Sequence, residues 1–165
     1  MSVPFSGAVA AVAKAEPMKK VAAVQSLLGA YVAGGCIVWC FDDRFTEALK
    51  AVLKGYTRCD LVRIAGGAKW LAQQADEAAR RFVLEQVRAS IRFHQAREIV
   101  LMCHADCLAC GGSAAFGGDA KKEKEACAGD LRAAGAFLAA NGVEMPVRLL
   151  YVDFDAIWEP EGAGA

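Results

Sequence analysis

Cys36-Ile37-Val38-Trp39-Cys40-Phe41-Asp42-Asp43-Arg44 is the stretch on which the fold turns. Its first five residues are apolar without alternation, the pattern of a strand buried on both faces. Residues with chemistry follow at once. A second stretch repeats the arrangement: Ile99-Val100-Leu101-Met102-Cys103 runs into His104-Ala105-Asp106-Cys107. Cys40, His104 and Cys107 offer two thiolates and an imidazole, and three protein ligands are what a catalytic zinc takes when it keeps one position open. Asp42 and Arg44, an acid and a base two residues apart, are the candidate catalytic pair, placed to orient a fourth, reactive ligand.

Working outward, short β-rich runs alternate with helical ones. Met18 to Val32 reads as an Ala- and Leu-rich helix stopped by Gly34-Gly35, and Phe45 to Lys54 as a short helix ended by Gly55. Leu61-Val62-Arg63-Ile64 reads as a second strand, closed by Ala65-Gly66-Gly67. From about Ala68 to Gln95 one long helix is expected. Val83, Val87 and Ile91 lie along one side of it, and Arg81, Glu85, Arg88 and Arg92 along another. Asp119 can cap a helix whose stripe is Cys127, Leu131, Ala134 and Leu138, with Asn141-Gly142 ending it. Val147 to Val152 is a fourth strand.

Strands separated by helices give an α/β fold in three layers, a central, mostly parallel four-stranded sheet flanked by helices. Cys40 ends the first strand, while His104 and Cys107 follow the third. Zinc bonds are only about 2.0–2.3 Å long, so those strand ends must be neighbours. With the second strand on the other side of the first, the order is 2-1-3-4. Its reversal point lies between strands 1 and 3, where open α/β sheets bind ligands at their carboxyl edge. No repeat or linker interrupts the pattern, so residues 1–165 are expected to form one domain, with residues 1–35 as an N-terminal helical segment.

Composition narrows the function classes. A chain of 165 residues suits one domain, and 19 basic against 19 acidic residues leave no net field to draw in nucleic acid or anionic lipid. Lys121-Lys122-Glu123-Lys124-Glu125 mixes signs and reads as a solvated helix face. Seven cysteines is an odd number, which favours a reducing cytoplasm over a disulfide framework. Val21 to Phe41 is uncharged and could just span a bilayer. Gln25 and Ser26 interrupt it, however, and Gly34-Gly35 splits it into a helix-length and a strand-length piece. Met1 to Ala10 lacks the basic region of a secretory signal. The expectation is a soluble chain whose N-terminal helix feeds a buried strand.

The Cys-x-Asp-x-Arg and His-x-x-Cys pair resembles the β-class carbonic anhydrases. Cys59-Asp60-Leu61-Val62-Arg63-Ile64-Ala65-Gly66-Gly67 is similar to that family's Asp-x-x-Val-x-Arg-x-Ala-Gly segment. A compact branch of the family resembles the chain further in Cys-x-Asp-x-Arg-Phe, in Ala-Gly-Gly and in a His-x-Asp-Cys-Gly-Ala-Tyr-Gly segment. The likeness covers roughly Cys36 to Gly112, with an echo at Tyr151-Val152-Asp153. Three positions depart from it. Leu108 stands where glycine is common, Cys110 where the compact branch often has tyrosine, and Asp43 where a small residue precedes the arginine.

The resemblance implies a zinc-dependent enzyme (Zn2+ on Cys40, His104 and Cys107) that hydrates carbon dioxide reversibly to bicarbonate through a zinc-bound hydroxide. Asp42 would orient that hydroxide, and Arg44 would hold Asp42 ionised. It also implies an N-terminal helix lying across a neighbouring subunit, hence at least a homodimer. The apolar Val21, Val24, Leu27, Leu28 and Tyr31 suit such an interface.

Other readings stand beside this one. Strand-end cysteines are often plain core residues, and Asp42–Arg44 can be an ordinary salt bridge. His94, three residues beyond Ile91, reads as a packed or helix-ending histidine rather than a proton shuttle. Cys36 and Cys59 are most simply buried. Cys107-Leu108-Ala109-Cys110 is also a redox spacing, although Gly111-Gly112 follows it where a thioredoxin-like unit needs a helix. Cys103, Cys107 and Cys110 could close a structural zinc site. The same open site could alternatively hydrolyse carbonyl sulfide or carbon disulfide, or the chain could be a non-catalytic zinc or thiol sensor.

Overall fold

The computed structural model describes residues 18–73 and 75–161. Five strands form one sheet in the order β2-β1-β3-β4-β5. They are β1 (Gly35–Trp39), β2 (Cys59–Arg63), β3 (Ile99–His104), β4 (Val147–Val152) and β5 (Ile157–Trp158). The first four are parallel and follow the expected order, and β5 adds a two-residue antiparallel edge. β1 and β3 are buried along their whole length, as their unbroken apolar runs require.

Side-chain alternation divides the core in two. Cys36, Val38, Ile99, Leu101, Cys103, Leu149 and Tyr151 face one layer, with α2 (Lys69–Ala72), α3 (Glu77–His94) and α4 (Ala120–Ala140). Ile37, Trp39, Val100, Met102, Leu150 and Val152 face the other, where α1 (Thr46–Leu53) supplies Leu49 and Val52 and the turn before it supplies Phe45. α4 buries Cys127, Leu131, Ala134 and Leu138, the stripe read from the sequence, beneath the Asp119 cap.

Three expectations need correction. No helix forms over Met18–Val32, where the chain is irregular and Val21, Val24 and Leu28 lie exposed. Gly29 sits at φ +105°, outside helical space, and a segment of about 15 residues is marginal as a helix without a packing surface. Gly34 and Gly35 are therefore not a helix stop. They let the chain pass against the Tyr56 ring, which a Cβ at either position would meet at 3.1–3.2 Å. The expected signal-free start, Met1 to Ala10, lies outside the described residues. The stretch from Ala68 to Gln95 is two helices, because Asp76 caps α3 by accepting from Ala79 N at 3.0 Å, and Arg80 Nε donates to the Leu71 carbonyl left at the end of α2 (2.9 Å). The third correction concerns Glu123.

Candidate metal centre and its clamp

β1 and β3 are hydrogen-bonded neighbours, in register from Cys36↔Ile99 to Val38↔Leu101, so both strands end at the same carboxyl edge. The donor atoms of Cys40, His104 and Cys107 converge there, all within 4.8 Å of one another and all on buried residues. The His104 ring packs against Trp39 (centroids 5.4 Å apart) and Phe45 (4.5 Å), and Phe154 stacks on Phe45 from outside. Its Nδ1 donates to the adjacent Ala105 carbonyl at 2.8 Å, which leaves Nε2 the bare nitrogen of the neutral ring.

That Nε2 has no hydrogen-bond partner although the residue is 1% exposed. A buried nitrogen lone pair without a partner costs on the order of 1–3 kcal/mol. A metal ion removes that cost. Trp39 Nε1 is the other buried unpartnered side-chain atom among the described residues, and as a donor only it cannot bind a cation. The thiols agree with Nε2. Cys40 is pushed up to about 11, first by its hydrogen bond with Cys107 and then by burial. Two such thiols ionise together only when a cation supplies the compensating charge. The donor set fits a zinc ion.

Asp42 and Arg44 stand beside the trio on the 3-10 turn Asp43–Phe45, which Asp42 caps through Arg44 N at 3.1 Å. Arg44 Nε and Nη2 grip the Asp42 carboxylate at 3.1 and 2.7 Å, and this grip holds that carboxyl below its ordinary range. Asp42 is outside the converging donor trio. The same guanidinium reaches across to the other ligand-bearing turn. Nη1 donates to Asp106 Oδ2 at 2.9 Å and Nη2 to the Asp106 carbonyl at 3.0 Å.

Asp106 and Glu123 are the site residues that the sequence left without a role. Asp106 takes φ +52° between the candidate donors His104 and Cys107. Its N–H donates to Glu123 Oε1 at 2.7 Å, and its Oδ1 accepts from Ser113 N at 3.0 Å. Glu123, expected on a solvated face, is 4% exposed. It continues the α4 stripe one turn toward the N-terminus, four residues before Cys127, and the positive end of the helix there favours a carboxylate.

The three departures cost the site nothing visible. Asp43 accepts from Thr46 Oγ1 (2.7 Å) beside the start of α1. Leu108 is 81% exposed and needs no positive φ, which this loop places at Asp106, Gly111 and Gly112 instead. Cys110 touches the Cys107 thiol but is not one of the converging trio. Cys103 pairs with Cys127 on the far layer, and all seven cysteines are free. Gly67 underlies the site: a Cβ there would lie 2.8 Å from Cys40 N and 2.9 Å from the Met102 carbonyl. His94 is absent from the site and bonds Asp60 (Nδ1 to Oδ2, 2.9 Å) at the amino edge of the sheet, the packed role expected of it. No helix among the described residues is long and apolar enough to cross a membrane.

The fold is similar to solved β-class enzymes. Beta-carbonic anhydrase isoform I of Trichomonas vaginalis superposes with a TM-score of 0.55 at 16% identity, over 83% of this chain and 87% of that one. The carbonic anhydrase of Streptococcus mutans gives 0.55 at 20% identity over the same shares, 83% and 87%. That of Glaciozyma antarctica gives 0.51 at 20% identity, over 79% and 82%. These identities speak to architecture, and the β-carbonic-anhydrase-like fold expected from the sequence is borne out. No curated protein matches the chain in sequence. A family model described as "Putative carbonic anhydrase" matches residues 33–161, from just before β1 to just past β5 and through every residue of the metal centre. The chain therefore belongs to the carbonic anhydrase family that this model describes.

Proposed function

We propose that this protein hydrates carbon dioxide reversibly to bicarbonate with a zinc ion held by Cys40, His104 and Cys107. The observation that carries the reading is the buried, unpartnered Nε2 of His104 facing two thiols at the edge where β1 and β3 end. The Ala105 carbonyl fixes the tautomer and so aims Nε2 at the cation. A zinc ion held there would supply Lewis acidity, lowering the pKa of a bound water to about 7 and giving a nucleophile near neutral pH.

The chain's own residues do the rest. Asp42, ionised and gripped by Arg44, accepts a hydrogen bond from the attacking oxygen and turns a lone pair of that oxygen toward the carbon of carbon dioxide. Arg44 is a positioning residue, since both of its carboxylate partners belong to the protein. Trp39 and Phe45 wall the imidazole with apolar rings, a surface that a small neutral molecule crosses without loss of hydration. Metal analysis with stopped-flow carbon dioxide hydration tests the reading. We expect about one zinc per chain and activity that rises near neutral pH. A zinc-loaded protein inactive between pH 6 and 9, the range around the expected water pKa of about 7, refutes it.

The working unit in this reading is at least a homodimer in a reducing cytoplasm. Met18 is 99% exposed, and Val21, Val24 and Leu28 beside it find no cover among the described residues, which suits a segment that lies on a second copy. Light scattering decides this: a monodisperse 17.4 kDa species with full activity refutes the dimer.

A further inference from the structure

We propose that Asp106 is a positioning residue which, through Arg44, bolts the two ligand-bearing turns of the metal centre together and sets Asp42 beside it. The inference rests on the zinc reading above. Cys40 and Asp42 belong to the turn after β1, while His104 ends β3 and Cys107 belongs to the turn that follows it. β-ladder hydrogen bonds join those strands only as far as Val38↔Leu101, so the turns beyond need another tie. Arg44 provides it, with Nε and Nη2 on Asp42 and with Nη1 and Nη2 on Asp106.

Asp106 is built for this. It is one of two non-glycine residues among those described with a positive φ, a conformation that persists only where the surroundings enforce it. Four contacts do so. Its N–H is held by buried Glu123, its Oδ1 by Ser113 N, and its Oδ2 and carbonyl by Arg44. A Cβ on Gly112 would come 3.1 Å from Oδ1, so the loop is shaped around this carboxylate. With both carboxylates in place, the planar fork of Arg44 has one orientation. Without Asp106 it can rotate about its bond to Asp42, and the two turns lose their tie.

Asp106→Asn tests the clamp, because asparagine keeps the Oδ1 acceptor for Ser113 N and tolerates a positive φ. The charge on Oδ2 is what it removes. For a pair this exposed the loss is roughly 1.5-fold to fivefold. We expect kcat to fall by that factor with KM near that of the parent, and zinc to pass to a chelating dye correspondingly faster. Arg44→Gln should do at least as much. In the Arg44→Gln background, Asp106→Asn should add nothing to either readout, since its route runs through Arg44. Losses that multiply in the double variant, or an Asp106→Asn protein identical to the parent in both readouts, overturn the clamp alone. If Asp106→Asn does not fold, Arg44→Lys, which keeps the charge but cannot grip both carboxylates, should release zinc faster than the parent, and parental release overturns the clamp. A parent that binds no zinc sinks the metal reading and the clamp with it. A zinc-loaded parent without activity sinks only the reaction, because zinc release still decides the clamp.

Discussion

Replacing Gly67 by alanine should damage stability and the metal centre together. Gly67 holds φ +54°, and a Cβ built on it falls 2.8 Å from Cys40 N, 2.9 Å from the Met102 carbonyl oxygen and 3.0 Å from the Trp39 carbonyl carbon. The left-handed conformation costs an alanine roughly 1–2 kcal/mol. All three obstructing atoms are backbone, so no side chain can turn aside, and relief by shifting strands costs about 1–3 kcal/mol. The sum, about 2–5 kcal/mol, is a large part of the 5–15 kcal/mol that holds a typical domain. With a urea slope of roughly 1–3 kcal/mol per molar, the unfolding midpoint should drop by about 1–2 M. The atoms that must yield are those of Cys40 and of the residue two before His104. Zinc occupancy should therefore fall as well. Gly66→Ala is the internal control: it shares the positive φ (+79°), but its Cβ would meet side chains alone, Ala109 at 3.3 Å and Trp70 Nε1 at 3.6 Å, and no backbone atom. A Gly67→Ala midpoint within about 0.3 M of the parent, or a Gly66→Ala loss of the same size, refutes the reasoning.

Four further outcomes are expected. His104→Ala should lose zinc, and with it stability, because metal binding energy is also folding energy; full occupancy by metal analysis removes His104 as a ligand. Asp42→Asn should keep zinc and lose carbon dioxide hydration by roughly 10²-fold or more, the usual worth of a placed acid–base group; parental activity in the stopped-flow assay makes the Asp42–Arg44 pair merely structural. Cys110→Ser should keep both zinc and activity, since Cys110 touches Cys107 without joining the trio; loss of metal would favour a closed structural site. Asp60 is buried, which raises its pKa, but hydrogen bonds from Ser90, Tyr31 and His94 outweigh this and lower it. A depressed folded value means that its stabilisation is complete above the unfolded value of about 3.9 and is lost as pH falls through the folded one. Urea midpoints should therefore drop on acidification from about pH 5 downward, and Asp60→Asn should flatten that drop; an unchanged acid profile in the variant removes Asp60 as its source.

What could be read from the sequence was what local pattern determines. Unbroken apolar runs mark β1 and β3, and the need for one ion to touch both strand ends makes them neighbours; the order 2-1-3-4 needs the further condition that β2 lies on the other side of β1, as it does. The α4 stripe was legible from Cys127 to Leu138 but was stopped one turn short. Glu123 occupies the next position of the same 3.6-residue period, and its charge hid it. A buried acid on a stripe was the signal for a functional contact, since only a partner makes such burial tolerable. Asp106 stood inside the quoted motif, yet its partners lie 62 and 17 residues away on Arg44 and Glu123, where no local period reaches. The helix expected over Met18–Val32 fails for the opposite reason: its apolar pattern is real, but the described residues give it no surface to pack against.

The two edges of the sheet now account for the histidines separately. At the amino edge Asp60, paired with Cys36 in the ladder, gathers Tyr31 Oη at 2.5 Å, Ser90 Oγ at 2.6 Å and His94 Nδ1 at 2.9 Å. These bonds pin the incoming chain and the end of α3 to β2. From Cys36 to Cys40 is four residues of β1, roughly 13 Å at 3.3 Å per residue. His94 is thus a strand's length from the metal centre and already committed to a carboxylate and to the Tyr31 ring, 4.1 Å away. A proton leaving the centre cannot use it directly. His104 Nδ1 is taken by its neighbour's carbonyl, and the walls around the ring are aromatic. In the carbon dioxide hydration proposed above, a proton would leave past Asp42 and Arg44, the polar and partly exposed side of the site. The rate would then depend on buffer in solution more than on His94.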